Sequence, residues 1–347
     1  MTTGAAWLSN CPVLVDADSV RISLAHGEGA RLSRQLLTQT ILPQLNAVGP
    51  YCFSDAAHVE ASGCRLAVCS DSHTVSPLFF PGGNIGSLSI YGTVNDLAVS
   101  GARPRWLTLS LILEEGLPLA ILDAVLSSVS AAARECEITI ISGDTKVVPR
   151  GAADSMFINT TGLGELIEPV PQGPVSIQPG DRILVSGPIG NHGMAVMNAR
   201  EEIFPEARLI SDSRSLLRAT ETLRQTAGGQ LRCMRDATRG GVSSVLHEWA
   251  YESRHSFLLQ ESRIPIHEVV RGACELLGLD PLYVANEGTL LAVVAPEVAA
   301  DSEAALRRLK GHESAAIIGD VIPSTISPVM VQRTFASPRP LDEPGGA

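Results

Sequence analysis

The sequence predicts an α/β protein of two domains. Its 347 residues are 45% hydrophobic and 18% charged, which is typical of a chain that folds around one large or two medium cores. Segments with the periodicity of strands alternate with segments with the periodicity of helices in both halves of the chain. A stretch rich in proline and glycine, EPVPQGPVSIQPG at 168–180, separates the halves and favours a linker.

The individual elements follow from these patterns. Apolar residues recur at helical spacing from Leu122 to Cys136, and the β-branched run EITIIS at 137–142 predicts a strand after that helix. The second half is predicted to contain strands at 182–186, 289–295 and 315–321, a glycine-containing turn at 187–193, and helices at 242–250 and 271–279. We therefore divide the chain into an N-terminal extension (1–23), a first domain (24–167), a linker (168–180), a second domain (181–327) and an extended C-terminal tail (328–347).

Composition and charge exclude several classes of protein. The formal net charge is −11 and only 4% of residues are aromatic, which argues against nucleic-acid binding. No apolar run reaches the length of a membrane span, because Glu114 and Glu115 interrupt the longest candidate at 107–126, and no signal peptide is evident. The seven cysteines are an odd number and widely scattered, so we expect reduced thiols in a cytoplasmic protein.

Three polar segments of the first half carry candidate chemistry. Asp71 lies in SDSH at 70–73, Asp96 ends GTVND at 92–96, and Asp144 and Lys146 belong to GDTK at 143–146. We expect these segments to be loops that follow rigid elements, where ligand-binding side chains are common. Three carboxylates and a lysine suit Mg²⁺ and the phosphates of a nucleotide. Taken singly, each aspartate could equally be a helix cap or a turn residue.

The second half adds three further segments. His192 lies in GNHG at 190–193, Asp236 in RDATRGG at 235–241, and Glu287 in NEG at 286–288. Two consecutive glycines before a helix suit an anion or simply a tight turn. Glu287 is either a structural acceptor or a general base with a raised pKa, and His192 is either a phosphate contact or an incidental loop residue. The sequence contains no GxxxxGK[ST], GxSxG or HExxH motif.

Long strings of the chain resemble one known family. These strings are LAHGEGARL (24–32), SDSHTVSPLFFPGGNIG (70–86), GTVNDLAVSGARP (92–104), LILEEGLP (111–118), SGDTKVVPRGAAD (142–154), FINTTGLG (157–164), RDATRGGVSSVLHE (235–248), RGACELLGLDPLYVANEG (271–288) and AAIIGDV (315–321). They closely resemble the HypE family, the carbamoyl dehydratases of [NiFe]-hydrogenase maturation. The resemblance implies a PurM-like architecture, shared with aminoimidazole ribonucleotide synthetase and selenophosphate synthetase. An N-terminal α/β domain would pair its sheet in a homodimer, a C-terminal α+β domain would follow, and ATP would bind near the dimer interface.

The resemblance also implies a reaction and partners. A HypF-type carbamoyltransferase would load a carbamoyl group onto the thiol of a C-terminal cysteine. ATP would then drive dehydration of this thiocarboxamide to a thiocyanate. The resulting cyanide would pass to a HypC–HypD complex and become a ligand of the hydrogenase iron.

Site residues are implied in the same way. Asp71, Asp96 and Asp144 would hold Mg²⁺ and phosphates, and Asn95 and Asp236 would assist them. Thr145 and His192 would contact the nucleotide. Lys146 would stabilise developing negative charge and Glu287 would take the nitrogen proton.

The sequence also departs from the family pattern. Members usually end in Pro-Arg-Ile-Cys, whereas this sequence ends in EPGGA and has no cysteine after Cys274. We expect that it is cut a few residues short. The alternatives are a paralogue without the tail that activates another amide or small molecule with ATP, and a catalytically silent maturation scaffold. Asn84, Asn191 and Ala237 stand where the family strings usually show Asp, Asp and Pro.

Overall fold

The computed structural model describes residues 21–27, 29, 31–45, 54–333 and 337–344, so most of the predicted N-terminal extension lies outside the described residues. The first described element is a 3₁₀ turn (Leu24–Gly27). The short helix α1 (Arg31–Leu36), a π-helical turn (Leu37–Ile41) and α2 (Leu42–Gln44) come after it. Two mixed β-sheets with helices packed on them follow. Within the described residues, no helix combines the length and the apolar character needed to cross a bilayer.

The first sheet has five strands in the order β1-β2-β7-β5-β6. They are β1 (Ala57–Ala61), β2 (Cys64–His73), β5 (Ala102–Glu114), β6 (Thr139–Val148) and β7 (Met156–Leu166). Only β5 and β6 pair in parallel, and β6 forms one edge of the sheet.

Two helices cover one face of this sheet. The small hairpin of β3 (Phe79–Phe80) and β4 (Gly83–Asn84) leads into α3 (Ile85–Val99), and α4 (Leu119–Glu135) packs beside α3. The side chain of Asn84 caps α3, accepting hydrogen bonds from the backbone N–H groups of Gly86 (2.8 Å) and Ser87 (3.2 Å). The predicted helix before β6 is confirmed as α4, and its apolar stripe, including Val125 and Val129, is buried.

The second sheet has seven strands in the order β14-β13-β10-β12-β8-β11-β9. They are β8 (Arg182–Val185), β9 (Leu231–Asp236), β10 (Ser256–Gln260), β11 (Leu290–Val294), β12 (Ala316–Ile322), β13 (Val329–Gln332) and β14 (Arg339–Pro340). The strands predicted at 182–186, 289–295 and 315–321 are confirmed as β8, β11 and β12. The segment predicted as an extended tail contributes β13 and β14, and Leu341 is buried.

Helices α6 (Leu217–Ala227), α7 (Gly241–Ser253) and α9 (Pro296–Arg307) cover the two faces of the second sheet. Helices α5 (Asn191–Glu201) and α8 (Glu268–Leu277) pack against each other in a separate apolar cluster. The predicted helices at 242–250 and 271–279 correspond to α7 and α8. Trp249 of α7 packs with Phe257 in the core on one face, and α6 and α9 build the core on the other face. Helix α3 also contacts β9 and α6, and so it joins the first sheet to the second.

Three of the segments expected to be loops belong to regular elements. Strand β2 continues through Asp71 to His73, strand β6 continues through Asp144 and Lys146 to Val148, and GTVND lies inside α3. The prediction of loops at these positions was wrong. Polar side chains in a strand or a buried helix turn interrupt the apolar pattern by which sequence analysis marks element ends.

Candidate functional site

Four aspartates from separate elements meet between the two sheets. Ligand oxygens of Asp55, Asp96 and Asp236 lie within 4.8 Å of one another, and so do ligand atoms of Cys69, Asp71 and Asp96. We call Asp55, Asp71, Asp96 and Asp236 the acidic cluster. The structure thus brings together Asp71, Asp96 and Asp236 of the predicted site and adds Asp55, which sequence analysis missed.

Close packing of α3 on the first sheet positions two of these carboxylates. Asp71 accepts a hydrogen bond from Thr93 Oγ1 of α3 (3.0 Å), and the Thr93 hydroxyl also meets that of Thr160 on β7 (2.5 Å). A Cβ atom at Gly162 would lie only 2.6 Å from the Thr93 methyl group, so glycine is needed for this approach. Asp96 follows Thr93 by almost one helical turn and therefore reaches the same region.

Arg235 supplies the main positive charge beside the cluster. Its Nε donates to Asp55 (2.9 Å) and its Nη1 donates to Glu248 of α7. The Arg235, Asp55 and Glu248 side chains are 23%, 11% and 14% exposed, so these ion pairs are largely shielded from water. Arg235 and Glu248 lie at the two ends of the string 235–248 that resembles the family, but neither had a predicted role.

Burial and mutual repulsion raise the pKa values of Asp55, Asp96 and Asp236. Burial, together with the charge of Glu248 and despite the attraction of Arg235, raises the pKa of Asp55 to about 6. Burial and neighbouring carboxylates raise the pKa values of Asp96 and Asp236 well above their usual range. A divalent cation would relieve this repulsion, and carboxylate oxygens are the ligands that Mg²⁺ prefers. The donor set therefore fits Mg²⁺.

Cys69 does not fit the same cation. Burial and the charges of Asp96 and Asp71 raise the pKa of its thiol far above the usual range. Its Sγ donates to the Thr93 carbonyl (3.5 Å). A protonated thiol is not a ligand for a hard cation, so Cys69 serves as a packing residue next to the cluster.

A cavity of about 380 Å³ adjoins the acidic cluster. One side of the cavity is lined by Asp236, Thr238 and Arg239. The other side is lined by residues of α1, including Arg34. The first turn of α7 lies next to these residues, with no side-chain cap on its N-terminus. Gly241 has φ +60°, and a Cβ there would lie 2.7 Å from two carbonyl oxygens, so this turn requires glycine. The cavity can therefore accept a ligand that carries phosphate groups next to the metal ligands.

Glu287 is buried near the cluster with a strongly perturbed carboxyl group. Burial, and then the charges of Asp236, Asp212 and Asp71, raise its pKa well above the usual range, while Arg239 opposes the shift. This is the behaviour expected of a general base in a buried site. A raised pKa is compatible with a general base and with a buried structural carboxyl, the two interpretations of Glu287.

Side chains from both halves of the chain hold the Glu287 backbone. Its N–H donates to Asp212 (3.1 Å), which also accepts from the Gly288 N–H (3.0 Å) and the Thr289 hydroxyl (2.9 Å). Its carbonyl accepts from Asn95 Nδ2 (3.3 Å). Asp212 had no signal in the sequence, because a single acidic residue in a loop matches no motif.

The Asn95 side chain contacts backbone groups of the second half, whereas a contact with the nucleotide was predicted. Its side chain is fully buried, Nδ2 also donates to the Arg214 carbonyl (3.0 Å), and Oδ1 accepts from the Leu216 N–H (2.8 Å). Both polar atoms of the amide are engaged with backbone groups. The Asn95 side chain therefore links α3 to the loops of the second half by hydrogen bonds.

His192 also lies in packed surroundings. Its Nδ1 hydrogen-bonds with Ser211 Oγ (2.8 Å), and its ring stands edge-on to Phe80 with centroids 5.4 Å apart. Burial lowers the pKa of the imidazole, and the charge of Asp212 opposes this shift. Since the ring is buried between the β3–β4 hairpin and the 208–214 loop, it serves the contact between the two halves.

Asp144, Thr145 and Lys146 do not join the acidic cluster within one chain. All three are exposed on the edge strand β6, whereas Asp71 lies on β2, three strands away. Three strand spacings amount to about 14 Å. Across the sheet, Asp144 is in register with Ser110, Asn159 and Ser72. Ser72 follows Asp71 directly on β2, and successive side chains of a strand point to opposite faces. The Asp144 side chain therefore points to the face opposite that of Asp71. Within the described residues of one chain, the structure therefore does not bring Asp144, Thr145 and Lys146 together with Asp71.

Comparison with known proteins now identifies the family. Residues 53–166 match the N-terminal domain of AIR synthase related proteins, and residues 178–331 match the C-terminal domain. The carbamoyl dehydratase HypE of Escherichia coli is 44% identical over 306 residues, which cover 87% of this chain and 90% of that protein. The chain belongs to the HypE family.

Solved structures of the HypE family share the fold. The crystal structure of a HypE–HypF complex contains a chain 38% identical to this one, with a TM-score of 0.83 and coverage of 89% of this chain and 99% of that one. A HypE structure in complex with ATP is 42% identical, with a TM-score of 0.77 and coverage of 92% and 97%. The family resemblance and the two-domain PurM-like architecture predicted from the sequence are confirmed.

Proposed function

We propose that this chain is an ATP-dependent carbamoyl dehydratase that converts a protein-bound thiocarboxamide into a thiocyanate, supplying the cyanide ligands of the [NiFe]-hydrogenase iron. The observation that carries the proposal is the acidic cluster beside a cavity, with the perturbed carboxyl group of Glu287 near it. Membership of the HypE family supplies the reaction.

ATP and Mg²⁺ are the cosubstrate and the cation of this proposal. The acidic cluster would hold Mg²⁺, which neutralises phosphate charge when bound. Arg239 and Ser244 of α7 line the cavity in which the phosphates would lie. The ATP-bound structure of a relative supports nucleotide binding at this fold.

The chemistry assigns a proton transfer to Glu287. The amide oxygen attacks the γ-phosphorus of ATP, ADP leaves, and one N–H proton is lost as the carbon–nitrogen double bond forms. Loss of the second N–H proton then drives formation of the carbon–nitrogen triple bond, while the C–O bond breaks and phosphate leaves. The Glu287 carboxylate accepts the second N–H proton, and the first passes to solvent. The raised pKa of Glu287 makes it a stronger base than an ordinary carboxylate.

A second copy of the chain would complete the site. The edge strand β6 exposes apolar side chains next to Asp144 and Lys146, including Ile141 (55% exposed) and Val147 (61% exposed). Unpaired edge strands with exposed apolar residues favour pairing with another chain. We propose a homodimer through this sheet, in which Asp144, Thr145 and Lys146 of one copy approach the nucleotide held by the acidic cluster of the other.

The partners follow from the same proposal. A relative was crystallised as a HypE–HypF complex, which supports a HypF-type carbamoyltransferase as the donor of the carbamoyl group. A HypC–HypD complex would receive the cyanide. We place these steps in the cytoplasm, where ATP and reduced thiols are available.

Mass spectrometry of the acceptor cysteine tests the reaction. A cysteine is appended after Ala347, loaded by the HypF-type enzyme, and the chain is weighed before and after addition of ATP and Mg²⁺. The proposal predicts the loss of one water, and it predicts that Glu287→Gln keeps the full carbamoyl mass while Glu297→Gln, an exposed carboxylate on α9, dehydrates normally.

Two other outcomes would support the competing functions. ATP hydrolysis without dehydration would favour a paralogue that activates a different amide. Failure to bind or hydrolyse ATP would favour a maturation scaffold.

A further inference from the structure

The ion pair between Glu248 and Arg235 borders the acidic cluster but belongs to none of the steps above. Glu248 lies on α7 and accepts from Nη1 of Arg235, while Nε of the same guanidinium donates to Asp55 (2.9 Å). Two carboxylates from different parts of the chain therefore fix two separate N–H directions of one guanidinium. Since a guanidinium presents its donors in a rigid plane, these two contacts restrict where the group can lie.

The position of this guanidinium matters because a guanidinium and a metal ion would compete for the same carboxylate oxygens. Asp55, Glu248, Asp236 and Asp96 all attract Arg235 electrostatically. An arginine free to turn would place its donors on the oxygens of Asp96 and Asp236, as a bidentate pair with a carboxylate is its favoured geometry. Those oxygens are the ones that Mg²⁺ needs.

We propose that Glu248 is a positioning residue, which ties Arg235 to α7 and to Asp55 so that the remaining oxygens of the acidic cluster stay available for a divalent cation. The proposal rests on the metal site of the proposed function. In this proposal, Arg235 orients Asp55 and offsets one negative charge, but it does not bind the oxygens of Asp96 and Asp236.

Helix α7 offers a matched control one turn further along. Glu252 is a partly buried carboxylate whose pKa is raised by burial and lowered by Arg235, so it also feels the charge of the guanidinium. Among the described residues, however, Glu252 forms no ion pair within 4.0 Å. Glu252→Gln removes the same charge as Glu248→Gln without removing a contact to Arg235.

Binding of Mn²⁺, a paramagnetic substitute for Mg²⁺, tests the proposal without any catalytic assay. Electron paramagnetic resonance measures free Mn²⁺ during titration of the wild type, Glu248→Gln and Glu252→Gln. We expect Glu248→Gln to weaken binding by about tenfold or more, the range typical of groups that orient metal ligands. Glu252→Gln should bind about as the wild type does. Glu248→Asp, which keeps the charge on a shorter side chain, should lie between Glu248→Gln and the wild type.

A second background separates positioning from simple charge. In Arg235→Met, the proposal predicts that Glu248→Gln causes no further loss of Mn²⁺ affinity, because there is no guanidinium left to hold. An equal loss in both backgrounds, or an equal loss with Glu252→Gln, would overturn the positioning role. A wild type that does not bind Mn²⁺ would instead overturn the metal site itself, and so the two failures are distinguishable. Thermal unfolding of every variant confirms that it is folded before titration.

Discussion

Replacement of Asp55 by asparagine should stabilise the metal-free protein at neutral pH. Asparagine resembles the protonated form of aspartate. Burial and the charge of Glu248 raise the pKa of Asp55 from 3.8 to about 6, although the charge of Arg235 opposes this shift. A group with a raised pKa in the folded state contributes stability below its unfolded pKa and loses that contribution as the pH rises through its folded pKa. At neutral pH the ionised Asp55 therefore destabilises the fold, whereas the asparagine does not.

The size of the effect follows from the shift in pKa. A difference of about 2 pH units corresponds to about 3 kcal/mol, which is an upper value for one carboxylate in a coupled group. Chemical denaturation with a chelator present should therefore show Asp55→Asn to be more stable than the wild type, by up to about 3 kcal/mol near pH 7, with the difference vanishing near pH 4.

Comparison of two variants at each pH is essential to this assay. Burial also lowers the pKa values of His73 and His192, so acidification destabilises the fold through these groups. That trend is common to the wild type and Asp55→Asn and cancels in their difference. Excess Mg²⁺ should reverse the order near neutral pH, because only the wild type retains all four carboxylates. A less stable Asp55→Asn in the metal-free state near pH 7 would refute the electrostatic reasoning.

Two further predictions concern the Glu287 loop and the β6 edge. Asp212→Ala leaves the N–H groups of Glu287 and Gly288 without their acceptor. It should lower the free energy of unfolding, measured by denaturant titration, by about 1–3 kcal/mol per buried group left unpaired, and unchanged stability would show that the Asp212 hydrogen bonds contribute nothing. Ile141→Asp places a charge in the proposed interface and should shift the chain from dimer to monomer in light scattering, whereas a dimer that persists at the same concentration would exclude this edge as the interface.

The fold was predictable wherever side chains follow a regular apolar pattern. β11 has an uninterrupted apolar sequence because both faces of the second sheet are covered. α4 shows helical periodicity because its buried residues Val125, Val129, Ala132 and Ala133 lie on one face of the helix. The ends of β2 and β6 were not predictable in this way. The row of Ser72, Asn159 and Ser110 is polar on the face of the first sheet opposite α3, so the strands continue where the apolar signal stops.

The candidate site was predictable in part. Asp71, Asp96 and Asp236 lie in strings shared with the HypE family, and the structure brings them together. Asp55 and Asp212 lie in segments with no recognisable motif, and only the tertiary fold brings Asp55 next to Arg235 and Asp212 next to Glu287. A sequence read along one chain also cannot show that Asp144 and Lys146 point away from Asp71, because side-chain direction depends on the register of four strands.

Activity of a mixed dimer tests the central claim, that the acidic cluster of one chain works with the β6 residues of another. Asp96→Asn and Lys146→Ala chains carry different affinity tags, and the heterodimer is isolated through both tags. Each variant alone should lack Mg²⁺-dependent ADP formation, while the heterodimer should regain it, since one of its sites combines an intact Asp96 with an intact Lys146. A heterodimer as inactive as the two parent variants would contradict a site shared between chains.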